Sequence, residues 1–170
     1  MPDIQISFSQ EQDLADILLL YKTVAMIEGG LARRQNENSE EYVRNNYVSS
    51  RERGISLLAR VDGLIAGEIH AFRPMPQVFS HVLSDLTIAV HPDFQSCGVG
   101  RKLFVRLIEE VEQNQPGILR IELIARESNQ RAIEFYKTLG FLVEGRMANR
   151  IKSVGSGFEA DIPMAWQRGS

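Results

Sequence analysis

One cysteine, Cys97, stands in a chain of 170 residues. No intrachain disulfide can form, which fits a reducing compartment. The three histidines have no partner four residues away, and Cys97 has no second thiol, so no metal site is expected. Excess charge is also scarce. The net value is -3, which argues against a general nucleic-acid surface. Arg33-Arg34 and Arg101-Lys102 are pairs and not runs, and pairs of this kind read as solvated faces. No apolar run approaches the ~18 residues needed to span a bilayer. The segment Met1 to Gln10 lacks the basic start and apolar core of a signal peptide. A soluble cytoplasmic protein with no membrane partner is the expectation.

What is present is an ordinary globular composition, 44% apolar and 24% charged. It suits one domain over residues 1–170. Ile4, Ile6 and Phe8 alternate with polar residues and predict a strand, with Ser7 or Ser9 as cap for the helix that follows. Leu14, Ile17, Leu18 and Tyr21 give that helix its spacing. Glu28 to Ser39 loses all periodicity and reads as a loop, and a second helix runs from Ser39 to about Ser50. Ile55 to Val61 and Leu64 to Phe72 are strands joined by Asp62-Gly63, a hairpin signal. Val82 to Val90 is another strand, and Gly98 to Gln113 a helix with Leu103, Phe104, Leu107 and Val111 on one stripe. Ile118 to Ala125 reads as a buried strand and Asn129 to Leu139 as an amphipathic helix closed by Gly140. Phe141 to Arg150 and Phe158 to Gln167 form a final strand pair. The order predicts an α/β layered domain with a mixed sheet.

Two segments carry chemistry. The first, T-I-A-V-H-P-D-F-Q-S-C-G-V-G-R-K from Thr87, is a strand, a proline break, a polar loop and two glycines opening a helix. Backbone amides at a helix N-terminus converge on one spot, and the helix dipole favours an anion there. Gly98 and Gly100 let the main chain approach that anion with no Cβ in the way. A P-loop would need Lys-Ser/Thr after the second glycine, where Arg101-Lys102-Leu103 stands. A dinucleotide fingerprint would need a third glycine where Leu103 stands. The second segment, N-Q-R-A-I-E-F-Y-K-T-L-G-F from Asn129, is a helix carrying the phenol of Tyr136.

Gln95-x-x-Gly98-x-Gly100, preceded by Val90-x-Pro92, resembles the pyrophosphate loop of the GNAT superfamily of acyl-CoA N-acyltransferases. Asn129-x-x-Ala132-x-x-Phe135-Tyr136-x-x-x-Gly140-Phe141 looks like that family's second motif. Glu144-Gly145-Arg146, then Asp161 and Met164, resemble the closing hairpin of members that act on small substrates and protein N-termini. The resemblance implies a three-layer domain, with a central mixed, mostly antiparallel sheet of about six or seven strands and about four flanking helices. It implies acetyl-CoA as co-substrate and a small-molecule or peptide amine as acceptor, and it allows a homodimer through the final hairpin.

Residue by residue, it implies that backbone amides from Gln95 to Arg101, through Ser96, Cys97, Gly98, Val99 and Gly100, hold the pyrophosphate. The backbone of Ile88 to Val90 pairs with the pantetheine arm, and an amide near Val90 polarises the thioester oxygen. Asn129 lies two helical turns before Tyr136, so both can face the coenzyme. Tyr136 stands as the acid that protonates the departing sulfur. For the base that neutralises the amine, Asp85 and Glu68 are the candidates, with His70 a rival on Glu68's strand face. Asp85 is flanked by Leu83 and Leu86, so partial burial is expected. Glu28 in the loop is a candidate for attracting a cationic amine. Cys97 at the helix N-terminus invites a covalent role, but no histidine neighbours it, and direct attack by the amine is expected. The alternative reading is a non-catalytic module of the same shape that binds acyl-CoA and reports to a partner.

Overall fold

The computed structural model describes residues 3–27, 30–31, 33–153, 155 and 157–169. In chain order it forms β1 (Ile4–Phe8), α1 (Leu14–Ala25), α2 (Glu40–Arg53), β2 (Gly54–Val61), β3 (Leu64–Phe72), β4 (Val82–Val90), α3 (Val99–Asn114), β5 (Arg120–Arg126), α4 (Gln130–Lys137), β6 (Leu142–Val143), β7 (Met147–Lys152) and β8 (Phe158–Gln167). The strands join in the order β1-β2-β3-β4-β5-β8-β6, with β7 also paired to β8. All pairs are antiparallel except β4 with β5. The sheet therefore has eight strands among the described residues, one more than the upper expectation.

Local chemistry sets these elements. Asp62 and Gly63 both take positive φ, 50° and 81°, as the tight turn of the β2-β3 hairpin requires. Ser39 caps α2 by accepting from the Tyr42 amide at 3.1 Å, with Glu40 and Glu41 in the first turn and Arg51 and Arg53 in the last. The start of α1 differs from expectation. A short 3-10 turn, Glu11–Asp13, leads in, and Asp13 accepts from the Gln10 amide at 2.7 Å. Ser9 instead turns inward to the hydroxyl of Ser56, 2.6 Å away.

Apolar residues fill both faces of the sheet. Leu103, Phe104, Leu107 and Val111 of α3 pack with Ile55, Leu57, Ile69 and Leu83 on one face. Ile17, Leu20, Tyr21 and Val24 of α1, with Val43 of α2, cover Leu58 and Ala89 on the other. Adjacent strand residues thus go to opposite layers, as the period of two demands.

The expected strand Phe141 to Arg150 is two, β6 and β7. Pro163 of β8 lies opposite the break: its carbonyl accepts from the Glu144 amide at 2.9 Å, but it has no N–H to donate in return.

Two irregularities in β4 open the sheet. Its parallel pairing with β5 is confined to Val82↔Arg120 and Leu83↔Ile121. Its register with β3 shifts between His70↔Thr87 and Phe72↔Ser84, where Asp85 takes φ 51°. That bulge turns β4 away from β5. Beyond Leu83 the β4 edge facing β5 has no strand partner.

Candidate active site

The unpaired edge of β4 presents backbone groups in a defined order. The His91 amide donates to the Ala66 carbonyl at 2.9 Å. In an antiparallel pair the hydrogen-bonding residues alternate. Ala89 and Thr87 therefore point their backbone groups at β3, and Val90 and Ile88 point theirs into the gap. Both residues line a cleft of about 500 Å³ between β4, the start of α3 and α4.

At the far end of β4, Pro92–Phe94 forms a short 3-10 turn. Ser96 and Gly98 then take left-handed conformations, φ 65° and 87°, so consecutive amides swing to one side. The loop consumes two amides internally: Gln95 donates to Pro92 at 3.2 Å and Cys97 to Phe94 at 3.4 Å. The first helical hydrogen bond closes from the Lys102 amide to the Gly98 carbonyl at 3.0 Å. The amides of Val99, Gly100 and Arg101 precede it and have no acceptor within the helix.

Gly98 needs its glycine for φ. Gly100 does not need one for packing, since a Cβ there would make ordinary contacts, 3.7 Å from Val90 and 3.8 Å from Ile88. Its hydrogen keeps the cleft floor clear. Free amides, a bare glycine and an unpaired strand edge together suit a ligand with an anionic group and an extended amide-bearing arm.

Arg131 was not anticipated. It lines the same cleft and donates to the Ser96 hydroxyl at 2.9 Å, adding a cation near the loop. Arg101 also borders the cleft, and it folds back to donate to Thr138 at 2.8 Å. Asn129 lies on the cleft wall, but its carbonyl oxygen is committed to capping α4 through the Ala132 amide at 3.1 Å. Its amide nitrogen has no such commitment to the helix.

Tyr136 stands on α4 at the cleft, with ring centroids 5.4 Å from Phe104, 5.7 Å from Phe135 and 6.3 Å from Phe141. Burial among these rings pushes its hydroxyl up to about 12, so it holds its proton throughout the neutral range.

A second cleft, of about 580 Å³, adjoins the first along β4: Ile88 borders one and Thr87 the other. It covers the bulge and the gap to β5 and reaches across to Tyr42 of α2. Asp85 borders it and is exposed, not partly buried, because the bulge turns it out of the sheet. Arg33 stacks on Tyr42 with its guanidinium 3.8 Å from the ring centroid. Arg120 reaches Glu144 at 2.8 Å and Glu122 at 2.6 Å. The hydrogen bond from Arg120 holds Glu144 below the usual carboxylate range. Of the charged groups lining this cleft, Arg120, Glu122 and Glu144 thus compensate one another, and Asp85 enters no ion pair among the described residues.

Glu68, the other candidate base, lies in the core. It is 2% exposed and borders neither cleft. Its carboxylate accepts from Tyr21 and from Ser56, the latter at 3.0 Å, and lies 3.1 Å from Nδ1 of His70. His70, in turn, borders the second cleft. Glu28 lies outside the described residues. Among the described residues no helix is long and apolar enough to cross a membrane.

Comparison with known proteins follows the same lines. The model of the Acetyltransferase (GNAT) family matches residues 15–141. The [Ribosomal protein bS18]-alanine N-acetyltransferase of Salmonella typhimurium is 41% identical over 78 residues, 46% of this chain and 51% of that one. The matched part thus spans about half the length of that relative. The L-amino acid N-acyltransferase MnaT of Escherichia coli is 22% identical over 85% of this chain and 83% of its own. Among solved structures, yncA of Salmonella typhimurium with its cofactor acetyl-CoA superposes with a TM-score of 0.84 at 22% identity, covering 96% of this chain and 93% of that one. A GNAT-family acetyltransferase from Streptococcus pneumoniae gives 0.79 at 23% identity over 97% and 99%. A splayed β4, a glycine-opened helix and a matching family model over most of the chain lead to one assignment: this protein is a member of the GNAT acetyltransferase family.

Proposed function

We propose that this chain transfers the acetyl group of acetyl-CoA to the amine of an amino acid or peptide by direct attack. The observation that carries the reading is the convergence in one cleft of three parts: the unpaired backbone of Ile88 and Val90, the free first-turn amides of α3, and the phenol of Tyr136. The free amides of Val99, Gly100 and Arg101, with Arg131 beside them, take the pyrophosphate. The edge of Ile88 and Val90 takes the pantetheine arm as a strand would, and an amide of this edge meets the thioester oxygen and stabilises the charge that develops there. Tyr136 gives its proton to sulfur as the C–S bond breaks.

The acceptor enters the adjoining cleft, where the exposed carboxylate of Asp85 draws its ammonium group. Relatives named for alanine and for L-amino acids support an acceptor of that kind. Glu68, sealed behind His70, has no direct path to that amine.

Release of free CoA in the presence of L-amino acids and of an alanine-initiated peptide tests the reading. Amine-dependent release is expected. Acetyl-CoA binding with no release on any amine would favour the binding-module alternative.

A further inference from the structure

Behind the acceptor cleft lies a buried set of polar side chains that the chemistry above leaves idle. Tyr21 of α1 is 1% exposed, and Glu68 and His70 of β3 are 2% exposed each. Tyr21 donates to Oε2 of Glu68, and Ser56 of β2 donates to Oε1 at 3.0 Å. Nδ1 of His70 lies 3.1 Å and 3.2 Å from the two carboxylate oxygens and 3.0 Å from the Tyr21 oxygen. A core position for three such groups is costly unless every hydrogen-bonding site is used. Here the phenol, the carboxylate and Nδ1 are all engaged, and the one ring of the set that borders the cleft is the imidazole.

Proton counting fixes the direction of these bonds. Tyr21 has one proton and spends it on Glu68. An ionised carboxylate has none to give. Every contact of Nδ1 is with an oxygen that accepts, so the imidazole carries its proton on Nδ1. The lone pair is then on Nε2, and the ring itself borders the second cleft. A carboxylate that fixes the tautomer and compensates the imidazolium is the arrangement that makes histidine a general base.

We infer that His70 is the base that deprotonates the acceptor amine, with Glu68 and Tyr21 as positioning residues behind it. This rests on the transferase reading above. Nε2 takes one proton from the ammonium group, directly or through one water, and the imidazolium is balanced by Glu68. The neutral amine nitrogen then forms its bond to the acetyl carbon. As the C–S bond breaks, sulfur takes the proton of Tyr136. The surplus proton on nitrogen passes through water to restore Tyr136, and His70 returns its own to bulk water. The products are the amide, CoA thiol and one proton.

Other groups face this imidazole. Phe72 stacks parallel to the ring with centroids 6.2 Å apart, and the Arg53 guanidinium lies 5.2 Å from the Phe72 centroid. Tyr21 of α1 lies with ring centroids 6.4 Å from it, and Tyr42 of α2, covered by Arg33, borders the same cleft. Thr87 is its register partner on β4, and Asp85 borders the same cleft. Across the gap Arg120 is held by Glu122 and Glu144. Glu68 is the carboxylate in direct contact with it among the described residues.

Nitrogen-15 NMR of histidine-labelled protein reads the tautomer without any acceptor, with His81 and His91 separated by difference from His70→Gln. Neutral His70 is expected as the Nδ1–H form, and Glu68→Gln is expected to disturb it. An Nε2–H form overturns the inference. In turnover, His70→Gln is expected to lower kcat by about 10²–10⁴-fold at pH 7, with acetyl-CoA binding unchanged. That deficit is expected to shrink as rising pH deprotonates the amine in solution. A His70→Gln protein with wild-type kcat, or with a deficit constant in pH, overturns the base role. Glu68→Gln, nearly isosteric, guards against a folding artefact and is expected to cost about 10²-fold or more through the wrong tautomer. Failure of the transferase reading would look different: no heat with acetyl-CoA from a protein whose His70 tautomer is as expected.

Discussion

Gly67 of β3 meets Val99 at the first turn of α3 with nothing between them. A Cβ on Gly67 would stand 2.9 Å from the Val99 methyl, 3.0 Å from the Ala89 carbonyl and 3.1 Å from Leu103. The helix whose free amides face the cleft is therefore seated directly on the strand. Gly67→Ala is expected to cost about 1–3 kcal/mol by overpacking and to weaken acetyl-CoA binding, because α3 must lift. Chemical denaturation and calorimetry check both, and an unchanged midpoint would contradict the close seating.

The two loop glycines are expected to separate. Gly98→Ala places a side chain at φ 87° and should cost about 1–2 kcal/mol, along with coenzyme affinity. Gly100→Ala makes only ordinary contacts, so stability should hold within about 0.5 kcal/mol while acetyl-CoA affinity falls. Equal losses of affinity and stability at Gly100 would mean that the glycine serves packing alone.

Tyr136→Phe is expected to reduce kcat by about 10²–10⁴-fold and to shift the KM for acetyl-CoA by no more than about twofold. Steady-state kinetics with acetyl-CoA varied at saturating amine decide it. A raised KM with kcat intact would make the phenol a binding group.

Much of this was legible in the sequence, and the reasons are local. The ends of β3 and β4 were marked by Asp62-Gly63, Pro74 and Pro92, and the start of α3 by Gly98. The break between β6 and β7 was not, because its cause, Pro163, sits in a partner strand remote in sequence. The exposure of Asp85 was hidden too: Leu83 and Leu86 beside it suggested burial, and only the bulge reverses that. The environment of Glu68 was the largest omission. Glu68 and His70 share a strand face by simple alternation, but Tyr21 comes to them from 47 residues away, with no local signal.

Two phenols, Tyr21 in the core and the partly buried Tyr136, give a pH dependence. Burial, then the charge of Glu68, holds Tyr21 well above the usual tyrosine range, and burial pushes Tyr136 up to about 12. A group whose pKa is raised on folding binds its proton more tightly in the native state. Its contribution is complete below the unfolded value of about 10 and is lost as pH climbs from there toward the folded value. For each phenol the slope is about 1.4 kcal/mol per pH unit inside that window. Denaturation midpoints taken from pH 8 to 11 should be level at first and then fall. Tyr136→Phe should flatten part of the fall, and a midpoint that rises above pH 10 would contradict the burial of both.

The most direct test is calorimetric titration of the purified protein with acetyl-CoA. The account predicts saturable binding at one site per chain, weakened in Gly98→Ala and Gly100→Ala and preserved in Tyr136→Phe and His70→Gln. Absence of heat and of saturation with the unaltered protein would contradict it.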